Sequence, residues 1–157
     1  MEKPTGSYAV YPFPLGRLKI GYDKDAVISL DRTKTSDDGT KTALTDLAYE
    51  QIMEYFEGKR RIFTFPYELR GTVFQKKIWR ALCDIPYGET RTYKEIAAAV
   101  GNPKACRAVG MANNKNPIAI AVPCHRVIGS DGKLVGYAGG LDMKEALLHL
   151  ERKFSSV

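Results

Sequence analysis

The chain has 157 residues, 44% hydrophobic and 27% charged, with 24 Lys and Arg against 18 Asp and Glu. That balance supports a sizeable core and excludes disordered, coiled-coil and collagenous chains. No apolar run approaches the ~20 residues of a membrane span, no signal-peptide pattern opens the chain, and three cysteines without a C-x-x-C pair argue for a cytoplasmic protein with a free thiol rather than a disulfide framework.

Tyr8–Tyr11 reads as a first strand, and the alternation of Leu18, Ile20 and Tyr22 as a second. An Asp23-Lys24-Asp25 turn leads into a third over Ala26–Leu30. The polar stretch Asp31–Thr42 predicts an exposed loop. Leu44, Leu47, Ala48, Ile52, Tyr55 and Phe56 recur at helical spacing before Gly58, which predicts a helix over 44–57, and Ile62–Phe65 predicts a short strand before Pro66. This half holds no cysteine or histidine and reads as scaffold.

From Gly71 the signals sharpen. Phe74, Ile78, Ala81, Leu82 and Ile85 mark a helix starting near Thr72 and stopped by Pro86 and Gly88. Thr92-Tyr93-Lys94-Glu95 has the form of a capping box, and its helix is predicted to run to Gly101. Asn102 and Pro103 suit the cap and first turn of another helix reaching about Asn114. Two short helices joined this way outline a helix-turn-helix. The second is rich in small residues around Arg107, which fits close packing on another helix or close approach to a groove. Ile118–Val122 reads as a buried strand, Val127-Ile128 and Leu134-Val135 as a hairpin about Asp131-Gly132, and Asp142 with Glu145 as the cap of a last helix whose seam is Met143, Leu147, Leu150 and Phe154.

Charge is not spread evenly. Residues 1–71 carry 11 basic and 11 acidic side chains, and residues 72–137 carry 10 and 4. The surplus therefore lies in the segment with the paired helices, as phosphate contact requires, although a plain solvated surface fits the same count. The chemistry concentrates at Pro123-Cys124-His125-Arg126. A thiol with a pKa near ~8.5 is a few per cent ionised at neutral pH and needs a base. His125 is adjacent, and Glu151, an acid near an apolar helical seam, is the candidate to orient it. Cys83 and Cys106, with no base beside them, read as packing residues. Two histidines are too few for a His-rich metal site, and no metal or cofactor is expected.

Five segments occur in one order: Ile85-Pro86-Tyr87-Gly88-Glu89-Thr90, Arg107-Ala108-Val109-Gly110, Asn116-Pro117, Pro123-Cys124-His125-Arg126-Val127-Ile128-Gly129 and Gly136-Tyr137-Ala138-Gly139-Gly140-Leu141. Together they resemble the O6-alkylguanine-DNA alkyltransferases. The resemblance implies an α+β chain of two lobes. These are a ribonuclease H-like sheet-plus-helix scaffold over 1–70 and a helix-turn-helix, winged-helix-like lobe over 71–157 that binds DNA and accepts the alkyl group.

It further implies a single-turnover, cofactor-free methylated-DNA–protein-cysteine methyltransferase, a monomer working in the minor groove of duplex DNA carrying O6-alkylguanine. Carried over by residue, Cys124 is the acceptor, His125 its base through a water, Glu151 the histidine's partner, and Asn116 the brace of the turn. Tyr93 binds the guanine and supplies a proton, while Arg107 replaces the flipped nucleotide in the stack. Lys104, Ala105, Cys106, Ala108, Gly110, Arg126 and Thr92 complete the implied DNA contacts. Val127, Tyr137, Ala138 and Gly139 join Tyr93 in the implied pocket. Where some members have a serine near O6 this chain has Ala138, and where some have a second proline it has Ala119. The alternatives are a non-catalytic alkyltransferase-like lesion binder, against which Cys124 argues, and a winged-helix regulator.

Overall fold

The computed structural model describes residues 7–134, 137 and 139–155, and the chain divides into two compact units at Arg70/Gly71. The first unit is a three-stranded antiparallel sheet, β1 (Ser7–Phe13), β2 (Gly16–Asp23) and β3 (Ala26–Thr33), in that order, with helix α1 (Ala43–Phe56). Period-two alternation turns Ala9, Tyr11, Phe13, Leu18, Ile20 and Leu30 inward to meet Ala48, Ile52 and Tyr55, and all are buried. Phe13 meets Phe56 edge to face with centroids 5.7 Å apart.

The predicted loop is more ordered than its polarity suggests. Asp31–Thr33 extend β3, and the rest runs along β1, where Val10 N donates to Asp38 O (2.9 Å) and Thr40 N to Tyr8 O (2.8 Å). Gly39 sits there at φ 65°, and a side chain at this position would collide with the Tyr8 carbonyl. The strand expected at Ile62–Phe65 does not form. The Gln51 side chain takes the Thr64 and Phe65 amides instead (2.8 and 3.2 Å), and the chain then bridges the sheet at Tyr67, opposite Val27.

The second unit comprises α2 (Val73–Leu82), β4 (Arg91–Thr92), α3 (Tyr93–Ala99), α4 (Cys106–Asn114), β5 (Val127–Ile128) and α5 (Leu141–Ser155). Capping boxes start α2 at Thr72 with Gln75 and α3 at Thr92 with Glu95. The core gathers Ile78, Trp79, Leu82, Ile96, Val109, Ile118, Val122, Met143 and Leu147, and the Trp79 indole N–H donates to Ala112 O at 2.8 Å.

The structure departs from several expectations in this unit. Helix α4 begins at Cys106 with Ala105 as its cap; Asn102 is spent in the preceding turn, where its carbonyl accepts from Ala105 N (3.0 Å). Helix α5 begins at Leu141, so Asp142 lies inside its first turn, past the cap position, where it complements the helix dipole. Ile118, Ala119, Ile120 and Val122 are buried, but the segment is a looped turn, not a strand. Val127-Ile128 pairs in parallel with Arg91-Thr92. The Asp131-Gly132 turn forms, with Gly129 N bonded to Lys133 O (2.9 Å), while Val135 lies outside the described residues. No helix among the described residues is long and apolar enough to cross a membrane.

Candidate functional site

The loop before the cysteine is held from inside by one side chain. Asn116 donates from Nδ2 to Val122 O (2.8 Å) and accepts at Oδ1 from Ile118 N (3.0 Å), closing a ring of apolar residues in which Ile120 takes a left-handed φ of 72°. Those two bonds spend the backbone groups a strand would have used, which is why the apolar run curls. The chain then makes a single 3₁₀ turn, Cys124–Arg126, before β5. Because β5 pairs with β4 and Thr92 caps α3, the cysteine turn and Tyr93 are drawn together. Asn113, buried on α4, donates to the Cys124 carbonyl at 3.3 Å.

Cys124 is 4% exposed and His125 is fully buried. His125 Nε2 lies 2.6 Å from Glu151 Oε2. Since that carboxylate accepts only, Nε2 carries the hydrogen in this pair, and in the neutral ring Nδ1 is left as a lone-pair acceptor. Nδ1 is buried and has no hydrogen-bond partner among the described residues. Burial pushes the imidazole below its ordinary pKa, Glu151 only partly offsets this, and Arg126 and Lys144 add to the fall. Burial would raise the Glu151 carboxyl, but its bonds and charge contacts with His125 and Arg126 outweigh it and hold the group well below the usual carboxylate range.

Tyr93 is half-buried; desolvation and the neighbouring Cys124 charge raise its phenol, with an Asn113 hydrogen bond working the other way. Lys144, on α5 one turn after its start, is fully buried, with Nζ 5.9 Å from the Tyr93 ring centroid and 6.0 Å from that of Tyr137. Desolvation brings its ammonium down to about 8, and the charge of Cys124 opposes the drop. A thiol, a neutral imidazole backed by a carboxylate, a phenol and a buried cation therefore share one site. That set can ionise a sulfur nucleophile and protonate a departing group. Among the described residues no cluster of three His, Cys, Asp or Glu could hold a metal.

Helix α4 divides its faces. Val109, Ala112 and Asn113 are buried, while Arg107, Ala108 and Met111 are exposed, so the small-residue helix both packs and presents a surface. Gly110 faces Tyr93, whose ring would lie 3.8 Å from an added Cβ. Lys104 is exposed, and Ala105 and Cys106 are half-buried at the helix start. Val127 is buried, Tyr137 and Gly139 are half-buried, and Ala138 lies outside the described residues. The Thr92 hydroxyl is occupied by the Glu95 amide at 3.0 Å.

Arg126 is a correction: grouped with the DNA contacts from sequence, it is 6% exposed and bound to Glu151 and to Ile85 O, leaving no face for phosphates. Lys144 and Asn113 were missed. Lys144 stands seven residues before Glu151 on the buried face of α5, so it too is an ion placed on an apolar face.

The description "6-O-methylguanine DNA methyltransferase, DNA binding domain" matches residues 73–153, and "6-O-methylguanine DNA methyltransferase, ribonuclease-like domain" matches residues 7–69. A methylated-DNA–protein-cysteine methyltransferase of Methanosarcina barkeri is 65% identical over 104 residues, 66% of each chain. One from Methanosarcina acetivorans is 48% identical over 92% of this chain and 97% of its own. A crystal structure of Mycobacterium tuberculosis OGT in complex with DNA shares the fold at a TM-score of 0.87, with 44% identity across 94% of this chain and 93% of that one. With both units matched and the cysteine site assembled, the chain belongs to the 6-O-methylguanine DNA methyltransferase family.

Proposed function

We propose that this protein repairs O6-alkylguanine in duplex DNA by moving the alkyl group once, irreversibly, to Cys124. The observation that carries the reading is the buried Cys124 thiol held in one turn with the His125–Glu151 pair (2.6 Å) and beside the charged and phenolic groups of Lys144 and Tyr93. Its support also includes the match to the family's DNA-binding domain and the relative crystallised with DNA.

The steps follow from the groups present. His125 Nδ1 receives the Cys124 thiol proton through an intervening water, and Glu151 balances the imidazolium that results. The thiolate attacks the alkyl carbon in line with O6; the S–C bond forms as the C–O bond breaks, and the electron pair leaves on the guanine. Tyr93 passes its phenolic proton to the guanine, which leaves as the neutral base. The Lys144 ammonium, facing the Tyr93 ring and the sulfur, offsets the negative charge that passes between them.

The thioether left on Cys124 has no leaving group that water can displace readily, so the reaction stops after one event. O6 is inaccessible inside a duplex, so the base must leave the stack at a cost of a few kcal/mol. Arg107, exposed among small residues on α4, fills the gap from the minor groove. The basic surplus of the second unit holds phosphates without reading sequence. The protein works as a cytoplasmic monomer without a cofactor.

The test is the mass of the intact protein after incubation with duplex DNA containing O6-methylguanine. One methyl per molecule, on Cys124, with no turnover is expected, and none on Cys124→Ser. A Cys124→Ser protein that still demethylated the DNA would sink the assignment, and a wild-type protein that bound the lesion and stayed unmodified would favour a non-catalytic lesion binder.

A further inference from the structure

The second basic residue of the Cys-His-Arg turn is not used by the transfer just described, yet its buried guanidinium makes three hydrogen bonds there. Arg126 Nε donates to Glu151 Oε1 (2.8 Å), Nη2 to Oε2 (3.0 Å) and Nη1 to the Ile85 carbonyl (2.6 Å), with the Tyr87 ring 5.6 Å below the guanidinium carbon. The Gly88 amide donates to Oε1 at 3.0 Å. His125 Nε2, Arg126 Nε and Nη2 and the Gly88 amide thus converge on Glu151, with Oε2 shared between His125 and Arg126.

We propose that Arg126 is a positioning residue that sets the resting proton count of the His125–Glu151 pair, holding the imidazole neutral so that Nδ1 is empty when the thiol must give up its proton. With Arg126 present the pair is neutralised, and another proton would enter beside a buried cation. Without Arg126 the pair carries an uncompensated negative charge in a region that water does not screen, and it would take up that proton readily.

The groups facing the pair are Cys124 and Arg126 from its own turn, Lys144 from α5 and Tyr87 beneath the guanidinium; among the described residues α2, packed on the same turn, sets no charge against His125. Of these, Lys144 acts in the same direction as Arg126 but does not touch Glu151's oxygens among the bonds described above. Among the bonds described above, it is Arg126 that shares the oxygen His125 uses. A guanidinium suits this task because its planar fork reaches both carboxylate oxygens while a third N–H holds the Ile85 carbonyl.

The inference rests on the alkyl-acceptor reading for its catalytic meaning, but its test needs no DNA, so either can fail without the other. The His125 ring is followed by NMR through a pH titration of the full chain. Arg126→Met is expected to raise the proton affinity of the pair by roughly tenfold or more, so that the imidazole titrates at distinctly higher pH. Arg126→Lys, which keeps a cation at the carboxylate, should restore most of the wild-type titration. A role confined to packing would leave the His125 titration of any folded variant where it was. An unchanged titration in folded Arg126→Met, or equal displacement in the Met and Lys variants, overturns the proposal. Should the Met variant not fold, Arg126→Gln, which can still bond the Ile85 carbonyl but carries no charge, decides the same question.

Discussion

Replacing Lys144 by methionine exposes a conflict between stability and chemistry that can be measured. The ammonium is fully buried, and desolvation lowers it from its ordinary 10.5 to about 8. That difference is worth about 3 kcal/mol at about 1.4 kcal/mol per pH unit. The sign follows from proton binding. Below pH 8 both folded and unfolded chains hold the proton, so the folded state bears the whole cost of the buried charge. Between about 8 and about 10.4 the folded chain has released it while the unfolded chain has not, and stability rises with pH.

Lys144→Met, similar in length and apolar, should therefore be more stable than wild type by about 2–3 kcal/mol at pH 7. The gap should close as pH climbs to 10, because any fixed packing difference cancels in the comparison. The same variant should transfer alkyl groups more slowly, since the Lys144 ammonium no longer faces Tyr93 and the sulfur. Urea unfolding of both proteins at pH 7, 8, 9 and 10 supplies the free energies. A gap that stays constant across that range would refute the reasoning, because it would mean that the ammonium titrates alike in the folded and unfolded chains.

Other outcomes follow from individual residues. Arg107→Ala should slow repair in duplex DNA roughly tenfold or more while leaving transfer from free O6-alkylguanine nearly unchanged, because only the duplex needs its stack refilled; equal losses in the two assays would remove the wedge. Tyr93→Phe should slow transfer with DNA affinity near normal, read by single-turnover kinetics beside a binding titration, and unaltered kinetics would leave the leaving guanine without its acid. Gly88 and Gly101 share a φ of 81°, but an added Cβ would strike the Ser155 hydroxyl only at Gly88. Gly101→Ala should cost about 1 kcal/mol for the backbone alone, and Gly88→Ala more, with part regained in a Gly88→Ala/Ser155→Ala double variant; equal losses in thermal unfolding would discount the contact.

Much of this molecule is written locally and was legible from the chain. The three strands and α1 follow from period-two and helical spacing, and Thr92 with Glu95 announces the start of α3 four residues at a time. Cys124, His125 and Glu151 were also legible, the first two as neighbours with complementary chemistry and the third as an acid out of place on an apolar face.

What local pattern misjudged were the segments whose partners lie far along the chain. The apolar run 118–122 has strand composition, yet Asn116 curls it into a loop, and Ile62–Phe65 loses its amides to Gln51 on α1. The basic Arg126 passes for a DNA contact until Glu151, 25 residues away, and the Ile85 carbonyl, 41 away, claim its guanidinium. Lys144 drew no reading from the sequence, and it is the packing of Tyr93, Tyr137 and Cys124 near it that gives the charge its place. Sequence determines what a residue could do, because propensity, capping and acid–base character belong to a few neighbouring atoms. Only the tertiary structure decides which charges are taken out of water and against whom, because burial depends on every segment at once.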